Sequence, residues 1–306
     1  MPEQLHHVAA GPSAEQPGVA VLGLGRMGTP IAAAFIDAGY RTIVWNRSPG
    51  KADALASRGA EPAATAAEAV AAAPLVVAPL LDHVAVRQTL VPATAALQGR
   101  TVVNLANSTP DQARDLAAWV AGHGAAYLDG AMMALPDSVA TREGFFLYSG
   151  SEEAFTRYRS ALEVMAPAHY FGADPGGAEI HDLAVLGTGY GALSGFLHSL
   201  AILHGTGTSP EHFAALAARW LNGLAAFLPE LAREIDAAHY TDGISTIDLN
   251  RAAVDGIVEL GRASGVSAAT HEPLRDLLHR SSDNGRGKDS FSSVFELMRK
   301  RDDPRQ

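Results

Sequence analysis

The sequence predicts an α/β fold in which an N-terminal doubly wound parallel sheet is followed by a long helix and an all-helical C-terminal region. Up to about residue 173, short apolar runs alternate with helical patterns, as expected for parallel strands joined by right-handed crossovers. From residue 174 onward one helical pattern follows another, with no convincing strand. With 306 residues, the chain is long enough for both parts.

The first segment, residues 1–16, contains His6, His7 and two prolines but no apolar run and no basic start. A secretory signal needs a continuous apolar stretch, so we expect a disordered lead-in. No unbroken run of about 18 uncharged apolar residues follows, and the closest candidate contains His198. We therefore expect a soluble, cytoplasmic protein that does not span a membrane.

The predicted elements of the first part run in chain order. Strands are predicted at 18–24 (GVAVLGL), 42–45, 75–79, 101–105, 127–128 and 144–148. Helices are predicted at 26–38, 51–57 and 66–73. Together these elements make residues 17–173 one sheet domain.

The second part begins at Asp174 and Pro175, which suit the N-cap and the first position of a helix. Helices are predicted at 176–205, 211–238, 245–264 and 272–280. The domain prediction is therefore an inter-domain helix at 174–205 and a helical domain at 206–306.

Composition excludes several functions. A formal net charge of -10 argues against nucleic-acid binding, which needs a basic face. There are no cysteines, so disulfides, thiolate metal sites and cysteine nucleophiles are excluded. None of the 12 histidines forms a close ligand pair with nearby carboxylates, and we expect no metal site. The sequence contains no G-x-S-x-G motif, which would carry the nucleophilic serine of a hydrolase.

A glycine-rich turn follows the first predicted strand and opens the first predicted helix, with G-x-G-x-x-G spacing. It consists of Gly23, Leu24, Gly25, Arg26, Met27 and Gly28. In this context the first glycine permits the tight turn and the second lets a pyrophosphate approach the backbone. The third lets helix and strand pack closely. The pattern predicts a Rossmann dinucleotide site; a purely structural turn is the alternative.

The residues after the second strand indicate which dinucleotide is bound. An NAD enzyme would place an acid here to hold the ribose hydroxyls. This sequence has Asn46, Arg47 and Ser48 instead, with Lys51 a turn later. Arg47 can pair with a 2′-phosphate and Ser48 can donate to it, so we expect NADPH. Lys51 can also be read as a solvated helix residue.

These stretches, GLGRMG and VWNRS, resemble the 6-phosphogluconate and β-hydroxyacid dehydrogenase superfamily, most closely its imine reductases and reductive aminases. Further stretches of the same kind are LLD at 80–82, NLANSTP at 104–110, DGAMM at 129–133 and GADPG at 172–176. The resemblance implies NADPH-dependent reduction of C=N bonds in imine, ketone or amine substrates. It also implies a homodimer whose helical C-terminal domains interlock. It assigns Leu80, Leu81 and Asn104 to the cofactor site.

Asp182 is the residue on which the reaction class depends. The resembled hydroxyacid dehydrogenases carry a catalytic lysine at this point of the long helix, which suits a carbonyl oxygen. An acid here suits an iminium cation or a proton donor to an imine. Spacing alone would also allow a surface Asp that favours the helix dipole.

Two further residues complete the predicted catalytic set. Tyr190 falls about 80° round the helix from Asp182 and roughly 12 Å along it. The resemblance gives it a part in positioning substrate, and a core tyrosine is the alternative. Asn107 follows a strand end, where a Rossmann crevice opens. Its amide can hold a carbinolamine hydroxyl or an amine, or it can simply form a turn.

The function predicted is NADPH-dependent imine reduction, with reductive amination of ketones or aldehydes as its extension. A carbonyl reductase of the β-hydroxyacid dehydrogenase type, with Asp182 replacing lysine, is the first alternative. A non-catalytic NADP-binding protein is the second.

Overall fold

The computed structural model describes residues 16–48, 50–241, 243 and 245–299. The predicted disordered lead-in, residues 1–16, lies outside these residues apart from Gln16. The described chain divides into two compact units, one ending at Leu186 and the other beginning at Gly187.

Eight strands of the described residues form one sheet. They are β1 (Val19–Leu22), β2 (Thr42–Trp45), β3 (Glu61–Pro62), β4 (Leu75–Ala78), β5 (Thr101–Asn104), β6 (Ala126–Met133), β7 (Phe145–Gly150) and β8 (Ala168–Tyr170). The order across the sheet is β3-β2-β1-β4-β5-β6-β7-β8, and neighbours are parallel except β6 and β7. The strand order reverses direction between β1 and β4, where a ligand crevice is expected. The predicted doubly wound sheet is confirmed.

The helices of the first unit connect these strands. They are α1 (Gly28–Asp37), α2 (Asp53–Ala56), α3 (Ala66–Ala72), α4 (His83–Leu90), α5 (Pro110–Ala121) and α6 (Glu152–Met165). The helices that follow are α7 (Gly177–Leu203), α8 (Pro210–Asp236), α9 (Ile247–Ala263), α10 (Glu272–Ser281) and α11 (Phe295–Met298). The predicted helical C-terminal region is confirmed.

The sheet buries both of its faces, because side chains alternate along each strand. Val19 and Val21 of β1 belong to an apolar cluster with Phe35 of α1. Ala20 and Leu22 belong to a second cluster on the opposite face, which holds side chains of α3, α4 and α5. Strands covered on both faces read as continuous apolar runs, which is why β1, β4 and β5 were predictable.

Within the first unit, five of these elements were not predicted from the sequence: β3, β8, α4, α5 and α6. The three helices nevertheless have sequence signals in their N-caps. The side chains of Asp82, Thr109 and Ser151 accept backbone hydrogens from Ala85, Gln112 and Ala154, respectively. Polar N-caps of this kind mark helix starts even where the apolar periodicity is weak.

The long helix starts later than the sequence predicted. It begins at Gly177, so Asp174 is not its N-cap and Pro175 is not its first residue. Asp174 instead accepts two hydrogen bonds from Arg114, Nε at 2.9 Å and Nη2 at 2.7 Å. Its Oδ1 also accepts from the backbone of Gly176, which forms a local turn. The carboxylate therefore ties the residues before α7 to α5.

Helix α7 is long and apolar enough, by length and composition alone, to cross a membrane. It is the one helix among the described residues that meets this test, and core helices of soluble proteins also meet it.

In the second unit, α7 and α8 expose large apolar side chains. They include Leu193, Leu197, Leu216, Trp220, Leu224 and Leu228. The small core of this unit lies elsewhere, around Ile247, Val254, Leu278 and Val294.

Thr109 provides a test of how α5 is anchored. Its hydroxyl accepts from the backbone of Gln112, whose side chain accepts from the backbone of Thr109, forming a capping box. Thr109→Ala is expected to lower the free energy of unfolding by about 1 kcal/mol. Urea denaturation measures the change. Thr109→Ser, which keeps the hydroxyl, should retain most of the stability, and equal losses in both variants would contradict the capping role.

Candidate functional site

The glycine turn joins β1 to α1 in a geometry that only small residues allow. Gly23 has φ +103, in the left-handed region, and a β-carbon there would overlap Leu80. A β-carbon on Gly28 would overlap the carbonyl oxygen of Gly23, so the helix start presses directly on the turn. Gly25 faces open space. The geometry has the tight turn predicted at Gly23 and the close packing predicted at Gly28.

Asn46 ties this turn to the loop after β2. Its Oδ1 accepts from the backbone N–H of Leu24 at 3.0 Å, and its Nδ2 donates to the carbonyl oxygen of Ser48 at 3.0 Å. The backbone N–H of Gly23 also donates to the carbonyl oxygen of Trp45. The turn and the Arg47–Ser48 loop are therefore held as one unit.

A groove of about 660 Å³ opens beside the turn, at the carboxyl ends of β1, β2 and β4. The predicted residues that line it are Gly23, Asn46, Arg47, Ser48, Lys51, Leu80 and Leu81. Sequence reasoning did not assign further lining residues, among them Thr65, Gln88 and Thr89. Gln88 and Thr89 belong to α4, which was not predicted; the N-cap signal at Asp82 could have revealed it.

The groove suits a dinucleotide that carries a 2′-phosphate. Arg47 and Lys51 line it, and no Asp or Glu of the described residues does so. Neither cation is held in an ion pair within the described chain. Helix α1 has no capping side chain at its N-terminus, which leaves the positive end of the helix dipole for a phosphate. The open space at Gly25 lets a pyrophosphate approach.

The other predicted cofactor residues lie outside the lining of this groove. Leu24 is buried, and its backbone N–H is taken by Asn46. Arg26 is exposed on the turn, while Met27 packs against the core. Asn104 is fully buried: its Nδ2 donates to Asp129 at 2.9 Å and its Oδ1 accepts from the backbone of Ala106.

A second, smaller cavity of about 140 Å³ lies in the first unit, where β5 and β6 end beside α7. It brings together two of the predicted catalytic residues, Asn107 and Asp182. Asn107 pairs with Asp82 in an isolated parallel bridge, which fixes its backbone at the sheet edge. The rest of the lining is Leu105, Ala106, Gly130, Ala131, Met132, Met133, Glu179 and Leu186.

Carboxyl groups dominate the electrostatics of this cavity. Asp182 is half-buried, and burial raises the pKa of its carboxyl. Glu179, one helical turn earlier, is almost completely buried. No Lys or Arg of the described residues lines the cavity. Such a site favours a cationic or proton-accepting guest over a developing oxyanion.

Glu179 and Asp129 are site residues that sequence reasoning missed. Asp129 precedes the lining residue Gly130; its side chain is fully buried and accepts from Tyr127 Oη at 2.6 Å. A usable signal was the spacing of Glu179 and Asp182, since residues three apart share a helix face.

Tyr190, the third predicted catalytic residue, lies on α7 in the second unit and is 67% exposed. Among the described residues, no group of three or more metal-ligating side chains is arranged to hold a metal ion.

Comparisons with known proteins identify the family. Residues 18–172 match the NAD-binding domain of 6-phosphogluconate dehydrogenase, and residues 174–300 match the C-terminal domain of NADPH-dependent reductive aminase-like proteins. The NADPH-dependent reductive aminase of Aspergillus oryzae is 36% identical over 92% of this chain and 97% of its own.

Solved structures of reductive aminases and imine reductases are similar to this chain along almost its whole length. A reductive aminase from Aspergillus terreus, in complex with NADPH and ethyl levulinate, is 39% identical with a TM-score of 0.84, covering 93% of this chain and 100% of its own. The imine reductase of Streptomyces aurantiacus is 34% identical with a TM-score of 0.82, covering 92% and 100%. These comparisons do not favour the carbonyl-reductase or the non-catalytic alternative. The chain belongs to the NADPH-dependent reductive aminases and imine reductases, oxidoreductases that act on C=N bonds.

Proposed function

We propose that this protein reduces imines and iminium ions to amines at the Asn107–Asp182 cavity, and that it also takes ketone or aldehyde and amine pairs. The observation that carries the proposal is the half-buried Asp182 carboxyl in a cavity that no Lys or Arg of the described chain lines. A carbonyl reductase needs a donor for a developing alkoxide, and a carboxylate repels that charge. A carboxyl group instead suits a nitrogen that becomes cationic.

We assign each residue of the cavity a separate role in the reaction. Because burial raises its pKa, Asp182 holds a proton more readily than an ordinary aspartate and can give it to an imine nitrogen. Once ionised, the same carboxylate faces the iminium cation. Asn107 offers an amide to a carbinolamine hydroxyl or to the amine. Bound NADPH supplies the hydride for the carbon atom. Tyr190, farther along α7, stays a prediction for positioning substrate.

The cofactor would lie in the groove beside the glycine turn. Arg47, Ser48 and Lys51 would hold the 2′-phosphate, while the backbone of residues 23–28 and the start of α1 would hold the pyrophosphate. Leu80 and Leu81 would contact the cofactor from the end of β4. We propose a supporting role for Asn104, because both ends of its amide are already bonded within the protein.

We also propose a cytoplasmic homodimer. The exposed apolar side chains of α7 and α8 in the second unit need a cover, and a second copy of the chain supplies one. Gly187, Gly191 and Gly195 face open space at four-residue spacing, which would let another helix approach closely. The domains we propose are 17–173 for cofactor binding, 174–205 as the connecting helix and 206–306 for dimerisation.

The reaction class is tested with purified protein and NADPH. We expect NADPH consumption with cyclic imines and not with glyoxylate-type carbonyl compounds. Asp182→Asn keeps the volume and removes the acid, so kcat for imine reduction should fall by about a hundredfold or more while the Kd for NADPH changes little. Asp115→Asn, at an exposed site on α5, is the matched control. Unchanged imine turnover in Asp182→Asn would remove this residue from the mechanism.

Arg47 tests the cofactor preference. Arg47→Ala removes a charge-assisted hydrogen bond worth about 1.5 to 3 kcal/mol, so the Kd for NADPH should rise roughly ten- to a hundredfold. The Kd for NADH, which lacks the 2′-phosphate, should change little. Both constants are measured by fluorescence titration. Arg58→Ala, which removes a cation that pairs with Asp37, serves as control. A parallel loss of affinity for both cofactors would contradict the assignment.

The dimer is tested at Leu197, which is 64% exposed on α7. Leu197→Asp would place an unpaired charge in the interface, and the dimer should weaken by about a hundredfold or more. Light scattering after gel filtration measures the mass, and circular dichroism checks that the variant is folded. Glu211→Ala, at the exposed start of α8, should stay dimeric. A monomeric wild-type protein would refute the proposal.

A further inference from the structure

The strongest unexplained feature of the first unit is a carboxyl group buried beside the proposed catalytic cavity. Glu179 lies in the first turn of α7 and is 2% exposed. Its Oε1 accepts a hydrogen bond from Ser108 Oγ at 2.9 Å. This bond joins the loop that carries Asn107 to the helix that carries Asp182. Because Asn107, Glu179 and Asp182 line one cavity, the bond spans the proposed site.

Glu179 faces a second buried acid. Asp129 is fully buried on β6, and its Oδ1 accepts from Tyr127 Oη and Asn104 Nδ2. Its Oδ2 has no hydrogen-bond partner in the described chain. A carboxylate oxygen left this way costs free energy, unless a neighbouring donor reaches it. Protonated Glu179 is a carboxyl neighbour with a hydrogen to offer.

The surroundings favour one shared proton. The groups that face Glu179 are Ser108 from the loop after β5, Asp129 from β6 and Asp182 from α7 itself. Tyr127 of β6 also interacts with Glu179, while Asn104 of β5 binds Asp129 behind it. None of them is a cation. Two adjacent buried carboxylates without a cation repel each other, and one of them retains its proton. Burial, and then the charge of Asp129, raises the pKa of Glu179 to about 8.

We propose that Glu179 is a positioning residue that holds the Asn107 loop against the Asp182 helix only while its own carboxyl is protonated. The inference rests on the proposed function of that cavity. A protonated carboxyl accepts from Ser108 through one oxygen and donates to Asp129 through the other. An ionised carboxyl has no hydrogen to donate and adds a second buried negative charge. Its side chain then leaves Asp129, and the link across the cavity is lost.

The direction of the pH dependence follows from the raised pKa. The protonated form is favoured in the folded protein, so the link is complete at neutral pH and is lost as pH rises through about 8. Positioning errors of about 1 Å at a reacting centre can cost up to a hundredfold in rate. The kcat of the wild-type enzyme should therefore fall above that point and level off about tenfold or more below its neutral value.

Three variants test the proposal. In Glu179→Gln the amide accepts from Ser108 and donates to Asp129 at every pH, so the alkaline fall in kcat should disappear. Glu179→Ala lacks both bonds and should lose about tenfold or more in kcat at all pH values, with the KM for NADPH little changed. Ser108→Ala breaks only the bond across the cavity and should also lower kcat. Glu153→Gln, on the exposed face of α6, is the control.

The measurements are kcat and KM for a cyclic imine from about pH 6 to about pH 10. A wild-type alkaline fall that persists unchanged in Glu179→Gln would overturn the proposal. So would wild-type kcat in Glu179→Ala.

Infrared difference spectra, wild type minus Glu179→Gln, test whether Glu179 is protonated without measuring turnover. The carbonyl stretch of a protonated carboxyl should be present at neutral pH and vanish above about pH 8. Its absence at neutral pH would contradict the proposal. A wild-type protein that shows this band but reduces no imine would instead refute the proposed function.

Discussion

The contact between the start of α1 and the turn after β1 is the constraint on which the cofactor groove depends. Gly28 presses on the carbonyl oxygen of Gly23, and Gly23 itself adopts a left-handed conformation beside Leu80. This packing brings the N-terminus of the helix, with the positive end of its dipole, to the carboxyl edge of the sheet, where the strand order reverses. Asn46 then fastens the neighbouring loop to the same turn. Any side chain at Gly28 would push the helix away and open the groove.

The second site depends on a different kind of constraint: three carboxyl groups meet at a cavity that no Lys or Arg of the described residues lines. Burial keeps Asp182 more readily protonated than an aspartate in water, and Asp129 and Glu179 are more deeply buried. Membership of the reductive aminases and imine reductases gives this arrangement a chemical reason, since a C=N bond becomes positively charged as it is activated. The same acids would hinder a reaction that builds charge on oxygen.

Much of this could be predicted from the sequence because it is local. The glycine spacing, the apolar strands buried on both faces and the Arg47–Ser48 pair each lie within a few residues of one another. Non-local pairings could not be predicted in this way. Ser108 and Glu179 are 71 residues apart in the sequence. Asn104 on β5 contacts Asp129 on the neighbouring strand β6. Asn104 was therefore assigned to the cofactor site from the resemblance, and the pairing of its amide with Asp129 in the core could not be seen from the sequence. Helices α4 and α5 were missed because short amphipathic segments show weak periodicity, and their caps carry the stronger signal.

The way Asn46 holds its loop has a consequence for how cofactor choice can change. Its two hydrogen bonds go to the backbone of Leu24 and Ser48, so they do not involve the side chains that would read the ribose. The conformation of the loop therefore does not depend on the side chains of Arg47 and Ser48. A lineage, or a protein engineer, could exchange those side chains and pass between phosphorylated and unphosphorylated dinucleotides without losing the loop. In this fold, dinucleotide preference is separable from structural integrity.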